Sequence, residues 1–429
     1  IDFPPRYLKM RIIADLHIHT KYSRATSKDM TLPAISMWAK RKGINLVSTG
    51  DFTHPSHFKS IEEKLVPLGN GLLIEKGKEH SEDGVFFMLS TEVSNIYTQN
   101  GRVRKIHSLI FTPTLSSAGK INSTLSRLGN TGSDGRPIFG FSAKELLKIV
   151  MDADRDSMLV PAHAWTPWFS IFGSKSGFDS IEECFGDLSR HIYAIETGLS
   201  SNPRMNWRLS FLDRIALISN SDAHSPSKLG REANFFDCGM DYFEITRAIK
   251  EKDGKKFLFT VEFFPEEGKY HYDGHRECGV LFSPEETRKT GGKCPVCKSD
   301  VTIGVMSRVE ELSDRPAGYV PDFFIPQKSV VPLQEIIAEA LGVGVAASAV
   351  KKEYLRLTDL GGNEFAVLLD MPGDELLKIT HPKIAEGIVK VRKGELSISP
   401  GFDGEFGKIK IFGKAEAAGP AEPKQMGLF

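Results

Sequence analysis

The sequence predicts an α/β protein: a parallel β/α barrel of seven or eight strands, then a small zinc-binding module, then a small C-terminal α/β domain. Three observations carry this expectation. Apolar strand-like runs alternate with helical stretches from residue 11 to residue 250, the pattern of βα units. The periodicity stops over 251–305, where charged turns and cysteines take over. It resumes on a smaller scale from 306.

Strands are expected at Arg11–Leu16, Leu46–Thr49, Phe86–Glu92, Ile106–Thr112, Met158–Pro161, Ile192–Glu196 and Ala216–Ser219. Helices are expected at Thr31–Arg41, Ser142–Ala153, Asp179–Phe185, Asn202–Leu212 and Tyr242–Lys250. In the last domain Leu333–Leu341 and Ala346–Thr358 read as two helices around a glycine-containing turn. A plain helical hairpin is favoured there over a DNA-reading helix pair. Val367–Asp370 and Gly394–Ile398 read as strands. From Lys414 the segment KAEAAGPAEPKQMGLF is rich in Ala, Gly, Pro and Glu, and reads as a flexible tail. The expected organisation is a barrel over 10–250, a zinc-finger module over 251–305, the α/β domain over 306–413 and the tail over 414–429.

A chain of 429 residues is too long for one ordinary core. Its 55 basic residues balance 55 acidic ones, so bulk charge argues neither for nor against a nucleic-acid partner. No apolar run approaches a membrane span. No secretory signal is read at the N-terminus, and Met10 is a candidate natural start. Three of the five cysteines cluster at Cys278, Cys294 and Cys297. That reads as a metal site in a reducing compartment, so a cytoplasmic location is expected.

The histidines and acids recur at strand ends. His17 and His19 close the first expected strand; residues two apart on a strand share a face. Asp51 and His54 follow the second, Glu92 ends the third, and His107 begins the fourth. His163 ends the fifth, and Asp222 and His224 follow the last. The C-terminal ends of parallel strands carry the chemistry of α/β barrels, so these groups should converge. They are too many for one ion and enough for two or three, with Glu92 a candidate bridge. Imidazole with carboxylate suits Zn, Mn or Fe.

HIHT at 17–20, the acid and His near 51–54, Glu92, His107, His163 and SDAH at 221–224 resemble, in order, the polymerase-and-histidinol-phosphatase (PHP) superfamily. The resemblance implies a distorted seven-stranded β/α barrel with a trinuclear metal site that hydrolyses phosphoesters. By that resemblance His17, His19, Glu92 and Asp222 hold one metal, and Glu92, His107 and His163 a second. His54 and His224, with or without Asp51, hold a third. The sequence leaves open which of Asp51 and His54 is the ligand. Asp222, Glu92 and His224 are the candidate catalytic residues, and the expected cofactors are two or three ions of Zn, Mn or Mg. Many members carry an Asp or His shortly after the HxH; here that stretch is Ser23-Arg24-Ala25. Clustered dications neutralise an anionic diester and activate water, so no side-chain nucleophile is required. Lys21, Arg24 and Arg204 are candidates to steady a leaving group.

A second metal is expected outside the barrel. His275-x2-Cys278 and Cys294-x2-Cys297 have the spacing of a tetrahedral structural zinc. His271 is the alternative fourth ligand, and the spacing favours His275.

AWTPWFSIFGSKSGF, at 164–178, follows His163 directly. Its Trp165, Trp168, Phe169 and Phe172 could stack on bases or plug the barrel mouth. Ser200, Ser201, Asn202 and Arg204 could contact DNA, or Asn202 could start a helix. The terminal QMGLF, with Gln425, Leu428 and Phe429, resembles a shortened sliding-clamp-binding motif, which would make the clamp PCNA a partner.

The order of barrel, HxxC…CxxC module and small α/β domain is further similar to a DNA-repair branch of the superfamily. It implies nicking on the 5′ side of uracil, hypoxanthine, xanthine or an abasic site, leaving 3′-hydroxyl and 5′-phosphate ends. The alternatives are a small-molecule phosphatase and a general metal-dependent nuclease. Damaged DNA is the expected partner, and a monomer the expected state.

Overall fold

The computed structural model describes residues 11–81 and 84–413. All seven expected strands form. Those of the barrel and its sheet extension are β1 (Ile12–Asp15), β2 (Leu46–Ser48), β3 (Phe86–Gln99), β4 (Arg102–Thr112), β5 (Met158–Pro161), β6 (Ala194–Glu196), β7 (Ala216–Ile218), β8 (Ala233–Phe236) and β9 (Phe257–Glu262). β1, β2 and β3 pair in parallel, as do β6 and β7. The two arcs meet through the Ala164 N–H donating to Glu196 O and through a parallel bridge between Ile18 and Ala223.

The expected all-parallel pairing is broken at one strand. β4 runs antiparallel to both β3 and β5. It returns from β3 through a tight hairpin at Asn100–Gly101, both at positive φ. Reversal carries the N-terminal half of β4, with His107, to the rim where the other strands end. β8 pairs antiparallel with β1, and β9 with β8, so the sheet continues past residue 250.

Buried residues alternate along the strands between two clusters. Leu46, Phe86, Met88, Leu109, Phe111, Val160, Ala194, Ala216 and Ile218 fill one. Val47, Phe87, Leu89, Ile110, Leu159, Ile195 and Leu217 join the other, which includes the helix residues Ile35, Leu146 and Val150. Period-2 alternation places the first set inside the barrel and the second under the helices. Helix Tyr242–Lys250 is capped by Asp241, whose side chain accepts from the Phe243 and Glu244 N–H groups. Its Tyr242 hydroxyl donates to Phe111 O and Asp156 O, plugging the end of the barrel away from His107.

Beyond the barrel, hairpin Asp273–His275/Val280–Phe282 opens the cysteine-rich stretch. Strand Gln327–Ser329 then rejoins β9 in parallel. The last domain is mostly helical, with Leu333–Leu341, Ser348–Leu360, Gly373–Ile379 and Pro382–Lys393. Val367–Asp370, expected as a strand, lies in a wide helical turn over Ala366–Asp370. A four-residue apolar run has no period of its own, and here both neighbours in sequence are helical. The strand expected at Gly394–Ile398 is displaced: Gly394 ends helix Pro382–Lys393 in a left-handed turn, and the strand runs over Ser397–Ser399, paired with Lys408–Lys410. Helices Pro55–Lys64 and Leu115–Leu128 form where no helix is expected. Met10 and the tail residues Gln425, Leu428 and Phe429 lie outside the described residues.

Candidate metal centre

His17 and His19 lie just past the end of β1, both almost fully buried. The His19 N–H donates to Ala223 O at 3.0 Å, holding the HIH segment against SDAH. His17 Nδ1 is 3.0 Å from Glu196 Oε1, and His19 Nδ1 is 3.1 Å from Asp51 Oδ1. Each imidazole is thus held from behind, and its Nε2 faces the barrel axis. There His19 Nε2 lies 3.2 Å from Glu92 Oε2 and 3.2 Å from Asp222 Oδ1. His17 Nε2 lies 3.8 and 3.6 Å from the same two oxygens. The other oxygen of Glu92 is 2.8 Å from His107 Nδ1 and 3.0 Å from His163 Nε2.

Three groups of ligand atoms result, each within 4.8 Å: His17, His19 and Glu92; Glu92, His107 and His163; His19, Asp222 and His224. Glu92 belongs to two and His19 to two. Asp51, His163 and Asp222 take positive φ of 44°, 30° and 47°. A non-glycine residue enters that region at a cost, and the three cluster at one rim.

The electrostatics are those of a cation site. Burial lowers the affinity of His17 and His19 for protons, but the carboxylates outweigh it: Glu196 and Asp222 at His17, and Asp222, Asp51 and Glu92 at His19. Both end well above the ordinary imidazole value. Burial raises Glu92 and Asp222, yet the surrounding imidazoles, with Arg136 at Glu92, hold both far below the usual carboxylate range. Burial pushes His107 down to about 4, against the pull of Glu92. His17 Nε2, His19 Nε2 and Asp222 Oδ1 are buried without a hydrogen-bond partner among the described residues. Buried polar atoms are rarely left so, and these share one gap. A divalent cation satisfies all three, and the donor set fits it.

Several expectations are corrected by position. Asp51 does not reach the gap: Oδ1 meets His19, and Oδ2 accepts from Thr20 N (2.7 Å), Thr20 Oγ1 (2.6 Å) and Ser23 Oγ (2.9 Å). It orients His19. His54 stacks on Tyr22 at 4.5 Å and belongs to none of the three groups. Trp165 and Phe172 are buried core, with Trp165 Nε1 donating to Asn206 Oδ1 at 2.8 Å. Ser201 is fully buried and donates to Thr197 O. Asn202 caps the short helix Pro203–Asn206, which carries Arg204. Trp168 is 42% exposed, and Phe169 lies over His107 at 4.7 Å. Trp168 and Ser200 line a cleft of about 210 Å³ with Tyr270 and His271.

The sequence reading missed Glu196 and Arg136. Glu196 accepts from His17, the His163 N–H (2.8 Å) and Asn220 Nδ2 (2.9 Å). Its signal is plain, since it ends β6 as Glu92 ends the expected third strand. Arg136 Nη1 donates to Glu92 Oε2 at 3.0 Å. Arg136 follows the turn SDG and carries no sequence mark.

His275, Cys278, Cys294 and Cys297 also gather within 4.8 Å. His271 is excluded: it is buried, stacked on Tyr272, and outside the group. The Ser299 hydroxyl and N–H bring Cys297 down to about 6, while burial and the neighbouring thiols push Cys278 up to about 11.

A distorted barrel with a shared-glutamate histidine cluster at one rim defines a PHP-type protein. The comparisons narrow this. Residues 332–395 match the family described as the MJ0043 C-terminal domain. The uncharacterized protein MJ0043 of Methanocaldococcus jannaschii is 38% identical over 257 residues, which are 58% of this chain and only 31% of that protein. The uncharacterized protein YqxK of Bacillus subtilis is 33% identical over 417 residues, 93% of this chain and 99% of that one. The lesion-specific endonuclease PfuEndoQ of Pyrococcus furiosus superposes with a TM-score of 0.83 at 34% identity, covering 94% of this chain and 95% of its own. A structure of endonuclease Q with a 27-mer duplex bearing an abasic lesion at its active site gives 0.81 at 34% identity, covering 94% and 96%. The chain belongs to the endonuclease Q family of the PHP superfamily.

No helix among the described residues is long and apolar enough to cross a membrane.

Proposed function

We propose that this chain is a metal-dependent DNA endonuclease that cuts the phosphodiester 5′ of deaminated bases (uracil, hypoxanthine, xanthine) or abasic sites. The ends would be 3′-hydroxyl and 5′-phosphate. The observation that carries the reading is the Glu92-centred cluster, in a chain that matches a lesion-specific endonuclease over 94% of its length.

His17, His19, Glu92 and Asp222 would hold one divalent ion, and Glu92, His107 and His163 a second. His224, with His19 and Asp222, is the donor set for a third. Bound ions would supply Lewis-acid charge neutralisation of the diester and activation of water. The chain's own residues do the rest. Glu196 and Asp51 fix the faces of His17 and His19. Loop 164–178 brings its exposed Trp168 to the rim beside His163, where a base could stack. His275, Cys278, Cys294 and Cys297 would hold one structural zinc. The clustered cysteines favour a cytoplasmic enzyme.

The test uses a 5′-labelled duplex with one deoxyuridine, deoxyinosine or abasic site, with Mg²⁺, Mn²⁺ or Zn²⁺, beside an undamaged control and Asp222→Ala. One metal-dependent cut 5′ of the lesion, absent from both controls, is expected. Equal cutting of undamaged duplex would make it a general nuclease. No cutting, with rapid phosphomonoester hydrolysis, would make it a phosphatase.

A further inference from the structure

Arg136 is the cation nearest the shared carboxylate. Its Nη1 donates to Glu92 Oε2 at 3.0 Å, and its side chain is 28% exposed. Among the described residues, Nε and Nη2 have no hydrogen-bond partner. A guanidinium presents five N–H donors in a planar fork, so those on Nε and Nη2 remain for a ligand approaching from solvent.

The loop that carries it is fastened to the segments that flank the metal centre. The Gly135 N–H donates to Tyr22 O at 3.0 Å, and Thr53 Oγ1 donates to Gly135 O at 3.3 Å. The Ser94 N–H donates to Pro137 O at 3.0 Å, and the Arg136 N–H to Asp134 Oδ1 at 3.0 Å. A side chain at Gly135 would collide with Ser23 Oγ and Asp51 Oδ2. Only glycine lets the backbone come this close. The next residue is thereby aimed over Glu92, with Asp51 behind His19 serving as the floor. An arginine needed only to balance Glu92 would have no reason to keep half its fork open to solvent.

We propose that Arg136 is a catalytic residue: through Nε and Nη2 it binds the scissile phosphate and stabilises the charge on its non-bridging oxygens. This rests on the phosphoester-hydrolysing reading above. The arginine exchanges no proton. Water adds across the ester, its oxygen to phosphorus and a proton to the departing 3′ oxygen, while the fixed positive charge holds the two other oxygens.

The experiment compares the full-length metal-loaded wild type with Arg136→Ala and Arg136→Lys on the single-lesion duplex. Single-turnover cleavage should fall about 10²–10³-fold in the alanine variant, as for loss of one charge-stabilising donor. The lysine variant should recover part of that, because it keeps charge without the fork. Metal content by elemental analysis should stay at the wild-type ratio. Duplex binding in Ca²⁺, with substrate shown intact on a gel, should lose about one unit of salt slope in the alanine variant. Cleavage within threefold of wild type overturns the proposal. So does a loss of rate accompanied by loss of metal, which would make Arg136 part of the metal site. If the wild type cuts no duplex, the nuclease reading fails separately. The same variants on p-nitrophenyl phosphate then decide Arg136, with the same loss expected and equal rates overturning it.

Discussion

Asp51 Oδ1 lies 3.1 Å from His19 Nδ1, while its other oxygen collects two hydroxyls and a backbone N–H. The carboxylate is saturated before any metal arrives. Its work is to hold His19 with Nε2 toward Glu92 and Asp222. Partners behind a ligating imidazole typically set metal affinity by about 10–100-fold. Asp51→Ala should therefore weaken barrel metal binding by about that factor, and Asp51→Asn by less. Competition against a coloured chelator measures it. An affinity loss as complete as that of Glu92→Ala would instead make Asp51 a ligand.

The two tryptophans of loop 164–178 should separate cleanly. Trp165 is buried, with its indole N–H bonded to Asn206. Trp165→Ala should cost about 3–5 kcal/mol of stability. Trp168 stands 42% exposed, edge-on to Tyr270 at 6.0 Å. Trp168→Ala should leave the melting temperature almost unchanged and weaken binding of the damaged duplex about tenfold or more, the scale of one lost base stack. Thermal melts and fluorescence anisotropy on both variants check the pair. Equal effects on binding and stability would sink the distinction.

The same loop ties the cysteine-rich stretch to the barrel. Arg308, buried on helix Val305–Leu312, donates from Nε to Phe172 O and from Nη2 to Phe178 O, both at 3.1 Å, and pairs with Asp179 and Glu311. The loop in turn follows His163 and accepts the His107 N–H at Phe169 O. Arg308→Ala removes the donor from two carbonyls, worth about 1–3 kcal/mol per buried group, and the partner from the exposed carboxylates of Asp179 and Glu311. Faster amide exchange over 164–178 is expected, with slower cleavage and unchanged zinc content. Unchanged exchange there would show that the loop is held by its own packing.

The sequence was legible where a residue's type and its place in a periodic run decide the outcome. Seven strands carried their alternation openly, and the imidazoles sat at their ends. Direction is not written in periodicity, so β4 looked like any other strand until its hairpin partner Ser94 stood opposite His107. Nor does residue type say which side of a ligand an acid occupies: Asp51 and Asp222 read alike, and only one reaches the gap. The aromatic loop failed similarly. Six large apolar side chains within one short loop predict burial or stacking, and the split between Trp165 and Trp168 is set by chain packing far away in sequence. Arg136 owes its position to Gly135 fitting beneath Ser23 and Asp51, a contact no local pattern records.

A last prediction concerns acids behind the centre. Glu262, fully buried on β9, accepts from Thr260 Oγ1 and from Thr197 Oγ1 at 3.1 Å. Burial pushes it up to about 7, with Glu196 adding to the shift against the bonds that lower it. Its neighbour Glu232 is raised well above the usual range by burial first and by Glu262 and Glu196 next. The folded value of Glu262 exceeds the unfolded one, so the folded state holds the extra proton between the two. Its contribution to stability is fully present below pH about 4.5 and is lost as pH rises through about 7. Glu262→Gln keeps the shape and both threonine contacts without titrating. The variant should gain on the wild type as pH rises from 5 to 8, by about 1–3 kcal/mol at the upper end. Thermal melts of both proteins at the two pH values, with the same metal loading, read the gap directly. A gap that stays constant would mean that Glu262 is already ionised in the folded protein at pH 5, and that its charge is met by a partner inside the barrel wall.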